Sequence, residues 1–210
     1  MSLPVVEPPE RGAVDGSGDD EGGAVAGLVL AAGEGTRFGK ENKLLVPVGG
    51  EPVVVRAVRT LLDSRVGPVT VVVGHEADRV REALSDLPVR TVENPRYREG
   101  QATSVEVGIG ALPEDAPGVL IALGDMPFVD PGTVSALRRA YRAGRGTALA
   151  AAADGRRGNP VLFDRQHFDA LVGLEGDVGG RGVLREEGVL VETGDPGVIR
   201  DVDRPADLPD

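Results

Sequence analysis

The chain has 210 residues, a formal net charge of −11 and no cysteine. Its length suits one domain with a substantial core, and its acidic balance argues against a nucleic-acid-binding surface, which is normally basic. Without cysteine there can be no disulfide, thiolate metal site or cysteine nucleophile. No apolar stretch approaches the roughly 20 residues that cross a bilayer, and no signal-peptide pattern is present at the start. We therefore expect a soluble, cytoplasmic protein with no nucleic-acid or membrane partner.

Residues 1–22 are rich in Pro, Gly, Asp and Glu, which predicts a disordered N-terminal tail. Residues 24–210 predict one folded domain, because apolar strand patterns alternate with helix patterns. That alternation indicates an α/β fold with a mainly parallel central sheet flanked by helices. The predicted strands cover about 25–32, 69–73, 89–93, 119–123, 147–153, 161–163, 189–192 and 198–203. The predicted helices cover about 52–63, 77–84, 102–112, 131–143, 165–172 and 180–187.

A glycine-rich, cationic loop follows the first buried strand, within residues 28–46. It contains three glycines and three cations, namely Gly33, Gly35, Gly39, Arg37, Lys40 and Lys43. Glycine permits backbone angles closed to other residues and lets amide groups approach a ligand closely. Amides and cationic side chains together can hold a polyphosphate. The only lysines of the chain are the two in this loop, which we therefore interpret as the active-site loop.

Two better-known glycine motifs do not fit this loop. A Walker A loop needs Ser or Thr after Gly-Lys, whereas Glu41 follows Gly39 and Lys40. The dinucleotide-binding fingerprint needs a third glycine at the position that Phe38 occupies. An ordinary flexible loop would explain the glycines but not the cations among them.

Aspartates mark two further places in the chain. Asp125 follows the predicted strand 119–123, and open α/β sheets bind ligands at the carboxyl ends of their strands. Asp130, which precedes a proline, is the better helix cap, so we favour a ligand role for Asp125. Asp201 and Asp203 are two apart on a predicted strand and would face the same way. Magnesium prefers hard oxygen ligands of this kind together with phosphate oxygens.

The segment 30–39, followed by Lys43, resembles the signature loop of the nucleotidyltransferase superfamily that includes molybdenum-cofactor and sugar-phosphate nucleotidyltransferases. Further segments are similar to those of the molybdenum cofactor cytidylyltransferase group: residues 99–105, 123–127, 158–163, 176–184 and 201–208. The resemblance covers about residues 24–208. It implies a single-domain, Rossmann-like nucleotidyltransferase fold. It also implies transfer of NMP from an NTP to a phosphorylated small-molecule acceptor, with release of pyrophosphate.

The resemblance also implies roles for individual residues. Arg37, Lys43 and Asp125 would be catalytic, and Asp125 with Asp203 would hold Mg²⁺, although Asp201 stays an alternative to Asp203. The nucleotide would be bound by Ala31, Ala32, Gly33, Gly35, Arg37, Lys43, Asn94, Gly100, Thr103, Ser104 and Gly124. The acceptor would be bound by Asn159, Asp177 and Arg181. Lys43 is preferred to Lys40 as the motif lysine because Leu-Leu-Val-Pro-Val follows it.

The choice of substrates rests on finer features. Ala32, in the Ala-Ala-Gly version of the motif, is more like cytidylyl than guanylyl members, which favours CTP as the nucleotide. Asn159 stands where the group often has His, and Gly180 where it often has Ala. The resemblance implies molybdenum cofactor or a similar phosphorylated compound as the acceptor, and these two departures from it keep a sugar or polyol phosphate as the alternative. A protein partner that receives the product is a further expectation, and a non-catalytic nucleotide-binding regulator is the competing class.

Overall fold

The computed structural model describes residues 3–10, 24–35, 38–39, 41–174, 176 and 180–208. Within these residues the strands are β1 (Val5–Val6), β2 (Ala26–Ala31), β3 (Pro47–Val48), β4 (Glu51–Pro52), β5 (Val69–Val73), β6 (Arg90–Glu93), β7 (Gly118–Leu123), β8 (Ala148–Ala153), β9 (Arg156–Asp164) and β10 (Gly188–Glu192). The α-helices are α1 (Val53–Leu62), α2 (Ala77–Ala83), α3 (Gln101–Gly110), α4 (Pro131–Arg142), α5 (Phe168–Val172) and α6 (Arg181–Glu187).

Eight of the strands form one sheet in the order β1-β10-β8-β9-β7-β2-β5-β6. Strand β9 runs antiparallel to β7 and β8, and the other neighbours in this sheet are parallel. Strands β3 and β4 form a separate antiparallel pair. The predicted α/β fold with a mainly parallel sheet is thus confirmed. Among the residues described, no helix is long and apolar enough to cross a membrane.

The central strand β2 is buried along its whole length, as its unbroken apolar sequence predicts. Val29 and Ala31 belong to the core on one face of the sheet, which includes residues of α1, α2 and α4. Leu28 and Leu30 belong to the core on the other face, with residues of α3, α5 and α6. Helices therefore cover both faces of the sheet. The candidate site lies at the edge where the strands end.

Helix α3 contains two glycines, which weaken a sequence-based helix prediction. The structure gives a reason for one of them. A Cβ on Gly108 would lie 2.6 Å from Cδ2 of Leu28 in β2. Gly108 therefore lets the helix pack closely against the central strand, and the resulting burial offsets the low helix propensity.

The predicted disordered tail needs correction for residues 3–10. Val5 and Val6 form β1, which pairs in parallel with β10 at the edge of the sheet. The amide of Leu190 donates to the carbonyl of Pro4 at 2.8 Å, and Leu3 packs against the core. Composition alone does not reveal that an open sheet edge supplies hydrogen bonds to this short segment. Residues 11–22 of the predicted tail lie outside the described residues.

The predicted late strand 198–203 is also corrected. Residues Pro196–Ile199 form a 3₁₀ turn, and residues 200–203 continue without strand pairing. The side chain of Asp195 accepts hydrogen bonds from the amides of Gly197 and Asp130, at 2.8 and 2.9 Å. These bonds favour the turn over an extended strand. The last strand of the sheet is thus β10.

Candidate functional site

The candidate site lies at the carboxyl ends of β2 and β7, which are neighbours in the sheet. The amide of Gly124, just after β7, donates to the carbonyl of Leu30 in β2 at 2.9 Å. The amide of Val202 donates to the carbonyl of Asp125 at 2.8 Å. These two bonds bring the glycine loop, the end of β7 and the segment 201–203 together, although they are far apart in sequence.

Lys43 connects the three segments through its side chain. It lies in a 3₁₀ turn, Lys43–Leu45, whose first residues are held by Asn42 Oδ1 accepting from the amide of Leu44 at 3.1 Å. Its Nζ donates to Asp125 Oδ2 and to Asp203 Oδ1, each at 2.7 Å. Burial disfavours the ammonium form, but attraction by the two carboxylates outweighs it, and the pKa of Lys43 is raised. The site thus holds a permanent cation, because Lys43 stays charged at neutral pH.

Gly35 and Gly33 play different parts beside this lysine. Gly35 has a φ of 57°, and a Cβ there would lie 3.0 Å from Cγ of Lys43, so its backbone packs against the lysine stem. At Gly33 a Cβ would meet nothing within 4 Å, yet the residue lines the cavity described below. No neighbour in the described structure therefore requires glycine at position 33.

Three aspartates form an acidic cluster around the lysine. Asp125, Asp201 and Asp203 each offer one carboxylate oxygen, and these oxygens lie within 4.8 Å of one another. Oδ1 of Asp125 is buried and has no hydrogen-bond partner among the described residues. Burial, with repulsion from Asp125 and Asp203, raises the pKa of Asp201. A set of oxygen donors with an unsatisfied buried oxygen fits a hard divalent cation. Asp201 and Asp203 both belong to this set of donors.

A cavity of about 420 Å³ opens above these groups. Its lining contains eight of the residues predicted from sequence, namely Ala31, Ala32, Gly33, Gly35, Lys43, Gly100, Ser104 and Asp125. It also contains Tyr97, Arg98 and Gln101, to which the sequence analysis assigned no role. They belong to the 94–104 segment, in which the resemblance implies roles for Asn94, Gly100, Thr103 and Ser104. Arg98 Nε lies 2.9 Å from Glu34 Oε1, so an ion pair joins this segment to the glycine loop.

Three predicted nucleotide-binding residues do not line this cavity. Asn94 is fully buried, and its Nδ2 donates to Thr103 Oγ1 and to Ser104 Oγ, each at 2.9 Å. The single hydroxyl proton of Thr103 is shared between the carbonyls of Gly100 and Arg96, at 2.9 and 3.1 Å. Gly124 packs against β2. Asn94, Thr103 and Gly124 thus lie behind the cavity wall, and their assignment to nucleotide binding stays a prediction. Arg37, Lys40 and Asp177 lie outside the described residues.

A second cavity, of about 160 Å³, adjoins the first. The two share Leu30, Gln101 and Leu123 in their linings. Two residues predicted to bind the acceptor, Asn159 and Arg181, line the second cavity. One molecule could therefore reach from the second cavity into the first.

Gly180, where the resemblance leads us to expect alanine, also lines the second cavity. A Cβ at this position would lie 2.5 Å from Cζ of Phe163, which is fully buried. Packing against Phe163 therefore explains the glycine without reference to the acceptor.

We expect Gly180→Ala to destabilise the protein by about 1–3 kcal/mol, the range for overpacking a core. Chemical denaturation would measure the change in the free energy of unfolding. The double variant with Phe163→Leu should lose less unfolding free energy than the two single variants lose together, because the smaller side chain leaves room for the methyl group. Strictly additive effects would reject the contact as the cause.

An open α/β sheet with a glycine loop and an acidic cluster at its carboxyl edge defines a protein of the class that binds ligands across that edge. The chain belongs to the family of the MobA-like NTP transferase domain, whose model matches residues 27–191.

The relatives differ in how much of their own length this chain covers. The bifunctional protein GlmU of Leifsonia xyli subsp. xyli is 40% identical over 124 residues, which are 58% of this chain and 26% of that protein. This chain therefore spans about a quarter to a third of the length of the GlmU relatives it matches. Nicotine blue oxidoreductase of Paenarthrobacter nicotinovorans is 33% identical over 181 residues, which cover 83% of this chain and 88% of that protein.

Solved structures share the fold over nearly the whole chain. A nucleotidyl transferase from Methanothermobacter thermautotroptrophicus superposes with a TM-score of 0.74 at 25% identity, covering 88% of this chain and 94% of that one. The Rv0371C protein of Mycobacterium tuberculosis in complex with manganese has a TM-score of 0.72 at 25% identity, covering 88% and 95%.

Proposed function

We propose that the protein is a nucleotidyltransferase that uses Mg²⁺ and transfers NMP, with CTP as the favoured donor, to a phosphorylated small-molecule acceptor. The observation that carries the proposal is the arrangement of Lys43 between Asp125 and Asp203 beside the glycine loop. Family membership and the manganese complex of a structural relative support it. We further propose molybdenum cofactor as the acceptor, on the resemblance of five segments, and a protein partner that receives the product.

In this proposal the chain's own residues act mainly by positioning and by charge. Backbone amides at Gly33 and Gly35 bind the triphosphate, and the Lys43 ammonium stabilises the charge that develops on the leaving pyrophosphate. Arg37 does the same by its place in the motif. When bound to Asp125, Asp201 and Asp203, Mg²⁺ would neutralise phosphate charge.

The nucleotidyl transfer takes place in one step, without a covalent enzyme intermediate. An oxygen of the acceptor phosphate forms a bond to the α-phosphorus, and the bond from that phosphorus to the bridging oxygen of pyrophosphate breaks. Holding both substrates in line across the two adjoining cavities supplies the rate enhancement that proximity gives. Asn159 and Arg181, with Asp177, bind the acceptor end.

The test is release of pyrophosphate by the purified full chain. CTP, GTP, ATP and UTP would each be supplied with Mg²⁺ and with molybdopterin, a sugar phosphate or a polyol phosphate. The proposal expects release with CTP and one acceptor, and its loss when EDTA is added. Release with GTP alone would overturn the nucleotide preference. If CTP raises the melting temperature but no pair of nucleotide and acceptor gives pyrophosphate, a non-catalytic regulator would be favoured.

A second candidate function is a redox reaction. It is favoured by the name of the relative that matches over most of its length, nicotine blue oxidoreductase. Oxidation of NADH or NADPH, followed at 340 nm with quinone dyes as acceptors, tests it directly. Turnover of a nicotinamide cofactor without pyrophosphate release would replace the transferase proposal.

Gly33→Ala separates ligand binding from folding. We expect an unchanged free energy of unfolding, because the added methyl meets no neighbour. Affinity for CTP with Mg²⁺ should fall about tenfold, because the methyl would intrude where the triphosphate approaches the backbone. Isothermal titration calorimetry measures this, with Gly110→Ala as the matched control, since a Cβ at Gly110 also meets nothing and α3 tolerates alanine. Unchanged CTP affinity in Gly33→Ala would exclude Gly33 from the binding loop.

A further inference from the structure

The second cavity combines apolar walls with a cationic rim. Its walls are formed by Leu30, Val105, Ile121, Leu123, Val161 and Leu184. At its rim lie two arginines, Arg157 and Arg181. Arg157 was not among the residues singled out from sequence, because it follows a turn in a polar stretch between two apolar runs.

The arginines at this rim repel one another. Burial first, and then the charges of Arg181 and Arg185, lower the pKa of Arg157. Neither of the two rim arginines, nor Arg185 beside them, forms an ion pair or side-chain hydrogen bond with another residue in the part of the chain that the structure describes. Like charges gathered without a carboxylate partner favour binding of an anion, because the anion relieves their repulsion.

The backbone holds Arg157 at the cavity. It lies in β9, where it pairs with Ala152 of β8 just beyond an irregularity in the register. The next residue, Gly158, is so close to the carbonyl of Val198 that a Cβ there would collide with it. Arg157 is therefore carried by paired strand backbone packed against the 3₁₀ turn, and not by a free loop.

We propose that the second cavity accepts a compound with an apolar or aromatic ring body and a second anionic group, distinct from its reacting phosphate, which Arg157 binds together with Arg181. This inference rests on the proposed function, since it defines the acceptor of that reaction. The shared residues Leu30, Gln101 and Leu123 place the ring between the two cavities. The reacting phosphate then reaches the Lys43 side, and the second anionic group lies at the arginine rim. A sugar monophosphate, which has neither an apolar ring nor a second anion, fits the cavity less well.

A binding assay tests the site without relying on turnover. The probes are 8-anilinonaphthalene-1-sulfonate, an aromatic anion, and N-phenyl-1-naphthylamine, its uncharged counterpart, each titrated by fluorescence into the full-length protein at about 0.15 M salt. Arg157→Ala should weaken binding of the sulfonate about tenfold, the effect of losing a hydrogen bond to a charged group. Binding of the uncharged probe should not change. Arg157→Lys should restore part of the affinity, because it keeps the charge but not the planar fork.

Arg145→Ala is the matched control, because Arg145 is exposed and lines neither cavity. Equal loss in Arg145→Ala and Arg157→Ala, or no loss in Arg157→Ala, would overturn the inference. If sulfonate binding depends on Arg157 while no NTP supports pyrophosphate release, the anion site stands and the transferase proposal falls. If pyrophosphate is released and Arg157→Ala changes neither probe binding nor kcat/KM, the transferase proposal stands and the acceptor class inferred here is wrong.

Discussion

Lys43→Ala is expected to lower kcat/KM for nucleotidyl transfer by about 10²–10³-fold, the loss typical when one preorganised stabiliser of transition-state charge is removed. The amine is nearly buried and is positioned by contacts at 2.7 Å to both Asp125 and Asp203. Arg98, which lines the same cavity, is paired with Glu34 instead. Steady-state pyrophosphate release measures the effect. Lys43→Arg should not restore activity, because the larger planar head does not fit between the two carboxylates.

The matched control for Lys43 is Lys40→Ala, the only other lysine of the chain. Its kcat/KM should stay within about threefold of that of the unmodified protein, a difference of less than about 1 kcal/mol in activation free energy. If Lys40→Ala abolishes turnover and Lys43→Ala does not, the motif lysine has been assigned to the wrong residue.

Removing Lys43 should also change the response to metal. Two carboxylates would lose their shared counter-ion, which is expected to cost about 1–2 kcal/mol of stability after allowance for their partial exposure. Added Mg²⁺ should therefore raise the melting temperature of Lys43→Ala more than that of the unmodified protein. Equal shifts would argue that the cation does not bind beside Asp125 and Asp203.

Asp125→Asn is expected to lower metal-dependent turnover by at least about 10³-fold while the protein stays folded. Asparagine keeps the shape of the side chain but removes the charge that a divalent cation requires, and it leaves the buried Oδ1 position filled. Two measurements are needed, pyrophosphate release over a range of Mg²⁺ concentrations and thermal stabilisation by CTP with Mg²⁺. The Mg²⁺-dependent turnover and the thermal stabilisation by CTP with Mg²⁺ should be lost together.

Asp130→Asn provides the control for Asp125. It makes the same change of charge five positions along the chain, at the N-cap of α4, where Asp130 Oδ1 accepts from the amide of Gly132. Asparagine caps helices about as well as aspartate, so stability and activity should both persist. Near-normal activity in Asp125→Asn would refute the metal assignment and direct attention to Asp201 and Asp203 alone.

Much of the fold could be predicted because its signals are local. The unbroken apolar run of β2 identifies a strand covered on both faces, and the Asp154-Gly155 pair identifies the β8–β9 hairpin, in which both residues have positive φ values of 52° and 70°. The segments that were misread depend on distant partners. Val5 and Val6 are ordered by the edge of β10, and the turn at 196–199 is held by Asp195.

The same division applies to the candidate site. A glycine loop rich in cations and an aspartate after a buried strand are visible in the sequence, because the residue types themselves carry the chemistry. The inward orientation of Asn94 is not visible, since a buried amide and an exposed one have the same letter. Arg157 was missed for a similar reason, because only the packing of β9 brings it to the rim of the second cavity.

The sequence by itself determined the α/β class, and it predicts a phosphate-binding loop at residues 28–46 with Lys43 and Asp125 as reactive groups. Only the tertiary structure decided that Asp201 joins Asp203 in one cluster and that Lys43 bridges Asp125 and Asp203. It also decided that a second cavity with an arginine rim adjoins the first. The physical reason is that strand order and crossover connections set which strand ends become neighbours, and contacts across 82 and 160 residues leave no local pattern in the chain.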